Sequence, residues 1–286
     1  MTPIELNQYF HYHNSNIRLL KIGFEHIRNQ IKDLYHKQDN NGNYIFNLSD
    51  SDIKKIETKK IEKSLSRILS GIQVSWAEES VKRLLYETNL FTDTQRTHII
   101  TKGALDQKWY ESLKIVFCIA YDLVPIGDEI CASVSINTER GNLGNELVNQ
   151  YFELRDIITN HFVPNFFIRN KVQHGEWEYA FKPKHSAEYS QEITDSLNSE
   201  NIVTTTSRFT LVNTFYQMVV DLGRFKSNSF ALDSMQTPFE FFYAGYMRKI
   251  RFEISKINST DLESFISEII DKEKRGKLYR QQNSAN

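Results

Sequence analysis

ALDQKWYESLKIVFCIAYDLVP, residues 104–125, sets Trp109, Leu113, Val116, Phe117, Ala120 and Leu123 at intervals of three and four positions. That period lines one face of an α-helix with apolar and aromatic side chains, as a central helix of a core requires. Pro125 is the expected stop, because the residue before a proline is pushed out of the helical region. The most apolar run, IVFCIAYDLVPI at 115–126, is too short to cross a bilayer and contains Asp122, so no membrane association is expected.

Outward from this segment the chain continues in helical periods. Toward the C-terminus, GNLGNE (141–146) is a helix-start loop rather than a phosphate loop, and the helix it opens carries Leu147, Tyr151, Leu154 and Ile158 and is expected to end before Pro164. A short helix then holds IRNKVQHG (168–175), closed by Gly175. Toward the N-terminus, residues 91–103 read as a connection. Before it, a helical region from about Ser51 carries Ile53, Ile56, Ile61, Leu65, Ile68 and Leu69, with a break at Gly71 ahead of a segment capped at Ser75. From Pro3 a helix is expected to about His36, interrupted at the polar stretch 14–16, before the turn Asn40-Asn41-Gly42-Asn43.

Four pairs carry the capping-box spacing in which a hydroxyl caps a free N–H and a carboxylate three residues on reaches back: Thr2/Glu5, Ser75/Glu78, Thr237/Glu240 and Thr260/Glu263. Pro3 and Pro238 follow two of them at the first helical position. WEYAF (177–181) alternates like a short strand, so 176–200 fits a small hairpin or ordered loop, and the last third returns to helices at about 203–226, 238–257 and 260–281.

The fold expected is therefore all-α, an antiparallel helical bundle with additional C-terminal helices and one small hairpin near 176–200. With 11 Gly and 5 Pro the chain holds about half the usual share of turn-forming residues, which supports that reading. No repeat, low-complexity tract or flexible linker divides the sequence, so residues 1–286 are expected to form a single helical domain. The two cysteines, Cys118 and Cys131, make no disulfide framework and fit a reducing, cytoplasmic compartment. A net charge of −1 leaves any nucleic-acid contact to a local patch.

The residues best suited to chemistry are Arg169 and His174. A guanidinium matches phosphate oxygens and stabilises charge growing on them, and an imidazole gives or takes a proton near neutral pH, as phosphodiester cleavage needs. The spacing by itself is weak, since about one such Arg–His pair is expected by chance and a second, Arg155/His161, exists in RDIITNH as a polar helix face. Context separates them: Asn170 follows Arg169, Gly175 follows His174, and basic and aromatic residues surround both. The same stretch is also a sound helix terminus, with basic residues complementing the dipole and Gly as terminator.

Arg169, Asn170 and His174 resemble, one by one, the signature of the HEPN superfamily: Arg, a polar residue that is often Asn, three to five residues, then His. The string RNKVQHGEW is similar to an uncharacterised clostridial-type branch of these bacterial toxin and antiphage-defence proteins, over a core of about residues 50–180. The resemblance implies a metal-independent endoribonuclease with no cofactor, acting as a homodimer whose two motifs face one another across a cleft. His174 would move protons, Arg169 would hold the scissile phosphate and Asn170 would orient the site or the RNA. A 2′,3′-cyclic phosphate product, resistance of DNA and restraint by an antitoxin protein are implied likewise. The alternative reading is a non-catalytic helical scaffold or sensor that binds a nucleotide or partner protein through the motif. Basic surface is expected from Arg169, Lys171, Lys182, Lys184 and the tail KEKRGKLYR.

The remaining candidates read as structure. His11, His13 and His26 lack ligand partners at metal-binding spacing and are expected on the surface. FEFFYAGY (239–246) is expected to be a core-facing stripe, and the basic tail from Lys272 to Arg280 a solvated helix end.

Overall fold

Glu5 N donates to Thr2 Oγ1 (3.3 Å) and Thr2 N donates to Glu5 Oε2 (2.7 Å), so the first capping box forms as its spacing requires. The computed structural model describes residues 1–38, 44–46, 52–182, 185–227, 238–259 and 261–284. Helix α1 runs unbroken over Pro3–Tyr35. The expected interruption at 14–16 is absent because its polar groups find partners on the next helix: Asn14 Oδ1 accepts from Arg83 (3.1 Å), and Asn16 Nδ2 donates to Glu79 (3.0 Å).

That next helix, α2 (Asp52–Leu85), is joined to α1 through an antiparallel hairpin of β1 (His36–Gln38) and β2 (Tyr44–Phe46) that the sequence reading did not contain. The turn at Asn40–Asn43 lies outside the described residues. Tyr9 stacks on Tyr86, His13 meets Glu79, and Gly23 lies beside Ile72, so numbers fall on α2 as they rise on α1 and the pair is antiparallel.

α2 passes straight through Gly71 and Ser75, correcting the expected break and helix start. A mid-helix Gly costs about 1 kcal/mol. Burial of Leu69, Val74, Ala77 and Val81 on either side outweighs it. A start that was not read lies at Thr92, whose hydroxyl accepts from Gln95 N (3.3 Å) while Gln95 Oε1 accepts from Thr92 N (2.9 Å). It opens α3 (Asp93–Ile100) inside the supposed connection 91–103.

The central helix, α4, spans Leu105–Ala120 and ends earlier than Pro125 demands. Asp122 adopts a left-handed φ of 54°, and Leu123 N reaches back to Cys118 O (2.8 Å), which closes the helix with a Schellman-type turn before the proline is met.

After a single 3₁₀ turn at Ile136–Glu139 and the short α5 (Arg140–Leu143), α6 (Asn145–Ile157) continues through a π turn at Ile158–Phe162 into α7 (Val163–Gln173). The expected end before Pro164 is thus overturned. One extra residue in the π turn, where Val163 N bonds to Ile158 O, accommodates a proline that lacks an N–H. Asn165 Nδ2 supplies a donor to His161 O (2.8 Å). The insertion also rotates everything downstream by about 100°, one residue's worth of helix.

The hairpin read within 176–200 consists of β3 (Phe181–Lys182) paired with β4 (His185–Tyr189), and of WEYAF only Phe181 joins it. Helix α8 (Gln191–Asn198), capped by Ser190, was not read. α9 (Ile202–Ser227), α10 (Pro238–Ser259) and α11 (Leu262–Ser284) follow the expected last third. Asp261 accepts from Ser264 N (2.9 Å) at the start of α11. The proposed caps Thr237 and Thr260 lie outside the described residues.

Trp109 of α4 is fully buried, edge-on to Phe162 of the π turn (5.5 Å) and to Phe215 of α9 (5.7 Å), and this aromatic cluster centres the main core. Of the stripe at 239–246, Tyr243 is buried and Phe242 is 40% exposed. Among the described residues no helix is long and apolar enough to cross a membrane.

Candidate functional site

Ile168 and Val172, one turn apart, pack into a small cluster with Ala180 and Leu197, and this contact fixes the rotation of α7. Each motif residue then falls where 100° per residue puts it. Asn170 and His174, four apart, share an exposed face. Arg169 and Gln173 share another, which turns toward α2: Arg169 Nη1 donates to Gln173 Oε1 (2.6 Å), and Nη2 lies 3.6 Å from Glu78 Oε2. The Arg169 Nε has no acceptor among the described residues. Glu78 is shared with Lys82 at 3.0 Å, so Arg169 has only part of a counter-charge. Arg169 and His174, five apart, stand about 140° from each other around the axis and do not share a face.

The helix ends at His174 in a full Schellman motif. Gly175 takes φ 82°, Gly175 N bonds to Val172 O (3.1 Å) and Glu176 N to Lys171 O (3.0 Å). An ion pair between Lys171 and Glu176 (3.1 Å) spans the turn where an apolar contact is usual, and the buried Lys171 also donates to Phe181 O. Lys171 is therefore an internal tie between the turn and the hairpin, not the basic surface expected of it. The imidazole of His174 makes no hydrogen bond to any described residue, so its ring nitrogens are open to a ligand or to solvent.

Trp177 closes the turn: its indole N–H donates to Val172 O (3.0 Å), one of the last carbonyls of α7. Its own carbonyl accepts from Nε of Arg67 (3.3 Å), a fully buried side chain on α2 that also donates to Asn198 Oδ1 (3.3 Å) and reaches Glu200 O (3.5 Å). Burial pulls the Arg67 guanidinium below its ordinary value, opposed by Glu200 and Glu62. The indole ring, 40% exposed, forms one wall of a groove of about 480 Å³ with Lys59, Lys60, Lys63, Ser64 and Ile56 of α2. The groove's one carboxylate is Glu178, and none of the three lysines is ion-paired to a described residue.

α7 and its sequel thus follow α2 from Glu78, beside Arg169, to Lys59, beside Trp177, a strip of roughly 30 Å at 1.5 Å per residue. The cluster of three lysines beside an exposed aromatic at the Lys59 end suits a single-stranded polyanion whose bases stack. The sequence reading missed Lys59, Lys60 and Lys63. Their signal is present in KKIEK (59–63), three lysines at helical spacing. Lys182, which was expected to contribute, is ion-paired with Glu188, and Lys184 lies outside the described residues.

Arg155 is exposed, while His161 is half-buried on another side of the rod, where burial and then Arg208 lower its basicity, so the two form no pair. His11 and His26 are exposed as expected. His13 is not: it sits between α1 and α2, stacked on Tyr86 and 2.9 Å from Glu79. Burial opposes ionisation of Glu79, but hydrogen bonds from His13, Lys82 and Asn16 pull its carboxyl to about 2. In the basic tail, Lys272 pairs with Glu268 (2.7 Å) and Arg275 bonds to Asp271 O, a solvated helix end. Among the described residues no group of three or more His, Cys, Asp or Glu could hold a metal ion. No protein-family model matches the chain, and no curated protein or solved structure is significantly similar to it.

Proposed function

We propose that this chain is a metal-independent, HEPN-type endoribonuclease acting on single-stranded RNA in the cytoplasm as a homodimer. The observation that carries the reading is the exposed Asn170–His174 pair on the last turns of α7, three residues ahead of Trp177, which walls the groove of Lys59, Lys60 and Lys63. The lysines hold the backbone, Trp177 stacks a base, and His174 moves the proton between the 2′-hydroxyl and the leaving oxygen. Arg169, held by Gln173 and by a long contact to a shared Glu78, exchanges that contact for the scissile phosphate. Because Arg169 and His174 do not share a face, the composite site needs a second copy to supply the missing group. A toxin or antiphage effector restrained by an antitoxin protein is the physiological role that such an activity fits.

The test is incubation of the purified protein with single-stranded RNA, and with DNA of the same sequence, in excess EDTA. Cleavage of RNA alone to 2′,3′-cyclic phosphate ends, lost in Arg169→Ala and His174→Ala, is expected. Light scattering at micromolar concentration checks the dimer; a monomer contradicts the composite site.

A second reading, a non-catalytic scaffold that binds RNA or a nucleotide, is favoured by one observation, the engagement of Arg169 by Gln173 and Glu78. RNA binding that weakens in a Lys59→Glu/Lys63→Glu variant, with no cleavage by the wild type, selects it.

A further inference from the structure

On the opposite part of the rod, α6 and α4 enclose with residues 134–140 a cleft of about 950 Å³ that shares no lining residue with the motif or its groove. Three cations line it, Lys114, Arg140 and Arg155, and none is ion-paired to a described residue. The cleft's one carboxylate, Glu111, is already engaged by His98 (3.1 Å) and Lys102 (3.8 Å).

Arg140 is held rigidly without being neutralised: its guanidinium donates to Asn137 (3.1 Å), Asn145 (3.3 Å) and Asn149 (3.0 Å), three amide oxygens where a carboxylate would ordinarily serve. Arg155 lies over the ring of Tyr110, 5.5 Å from its centroid, and Tyr110 is pinned by a 2.7 Å hydrogen bond to Thr159. Such placement sets three positive charges without an ion-paired carboxylate around one concave space, with Asp128 only a longer-range neighbour of Lys114, a field that attracts an anion.

A second observation is independent of charge. Tyr151 lines the cleft with only 7% of its surface exposed, and its phenol has no hydrogen-bond partner among the described residues. Burial, partly offset by Arg155, pushes that phenol up to about 12, so it stays a protonated donor at neutral pH. The phenol oxygen is not sealed from solvent, so a water or a ligand in the cleft can serve as its acceptor. Phe152 and Tyr110 add apolar wall beside these polar groups.

We infer that this cleft binds a nucleotide-sized phosphorylated ligand, its phosphates held by Lys114, Arg140 and Arg155 and its planar ring against Tyr110 and Phe152. The volume is within the range of small-ligand sites, about 300–1,000 Å³. Guanidinium forks suit phosphate oxygens, the Tyr151 phenol donates to one of them, and the side chains of Gln107, Asn137 and Thr159 supply further polar contacts at the cleft wall. The site lies apart from the ribonuclease motif, so ligand binding there stands or falls separately from catalysis.

Isothermal titration calorimetry on the full chain, with ATP, AMP, inorganic pyrophosphate and adenosine as probes, tests this. ATP is expected to bind with a Kd below about 1 mM, pyrophosphate more weakly and adenosine not measurably. Lys114→Gln and Arg155→Gln should each weaken ATP about tenfold, the effect of losing one charge-assisted contact. Arg155 is exposed, so its replacement should leave the circular dichroism and melting curve unchanged. Tyr151→Phe should weaken ATP about threefold to tenfold while keeping the ring in place. Absence of heat with both ATP and pyrophosphate at millimolar concentration overturns the inference, as does equal affinity of wild type and both cation variants. Pyrophosphate binding as tightly as ATP overturns the part assigned to the aromatic wall, and adenosine binding as tightly as ATP overturns the part assigned to the cations.

Discussion

The core around Trp109 and the last turn of α7 lie within reach of one continuous rod, α6 through α7, yet they are held in opposite ways. At Trp109 the side chains are determined by burial: α4, the π turn and α9 enclose the indole, and Phe162 and Phe215 set its angle. At the last turn of α7 the backbone is determined instead, by Gly175, by the Lys171–Glu176 tie and by Trp177 on Val172 O, while Asn170, Gln173 and His174 remain exposed. A fold that fixes this backbone and leaves the side chains of Asn170 and His174 without hydrogen bonds among the described residues has placed those two side chains without using them for stability. Substitutions in the first region should therefore unfold the protein, and substitutions at the second should spare the fold.

The largest effect is expected at the core. Trp109→Ala should cost about 3–5 kcal/mol through lost burial and a residual cavity, read as a fall in the urea midpoint. A cost below about 1 kcal/mol would show that the aromatic cluster is not the centre of the core. Arg67→Met comes next, at about 2–3 kcal/mol, because Trp177 O, Asn198 Oδ1 and Glu200 O lose their buried donor. It should also loosen Trp177, so RNA affinity should fall in the folded variant even though Arg67 itself is buried. Unchanged RNA affinity would separate Trp177 from the groove.

Glu79 gives a smaller, pH-dependent effect. Its folded carboxyl is depressed to about 2 from its ordinary 4.5, so its contribution is present above about pH 4.5 and is lost as pH falls toward about 2. About 2 kcal/mol of stability should disappear across that window, after discounting for solvent, shared between the α1 contacts of His13 and Asn16 and the Lys82 contact within α2. Glu79→Gln should flatten the acid limb of a stability–pH curve; an unaltered limb would assign acid sensitivity elsewhere. Gly175→Ala should cost about 1 kcal/mol, since φ 82° is strained for any residue with a Cβ although space around it is open.

The helical frame was legible because its signals are local. The α4 stripe, the Thr2/Glu5 box and the Gly175 terminator each act within a few residues, and each forms. What escaped the sequence depends on partners far along the chain. Asn14 and Asn16 read as a break until Arg83 and Glu79 are opposite them. Pro164 read as a stop because nothing local announces a π turn that absorbs it. The box at Thr92 went unread because its fourth residue is Gln rather than Glu, a local signal that was available. At the site, Arg169, Asn170 and His174 could be singled out by type and spacing, whereas their directions could not: those follow from Ile168 and Val172 packing on Ala180 and Leu197. The lysines of α2 lie more than a hundred residues from Trp177, and only the fold brings them together.

The most direct measurement is the initial rate of single-stranded RNA cleavage in excess EDTA for wild type and His174→Ala, each shown to have the same urea midpoint within about 0.5 kcal/mol. Cleavage by the wild type is expected, with a rate at least about 100-fold lower in the variant, the scale of a lost proton-transfer group. Equal rates in the two folded proteins would overturn the assignment of proton transfer to His174.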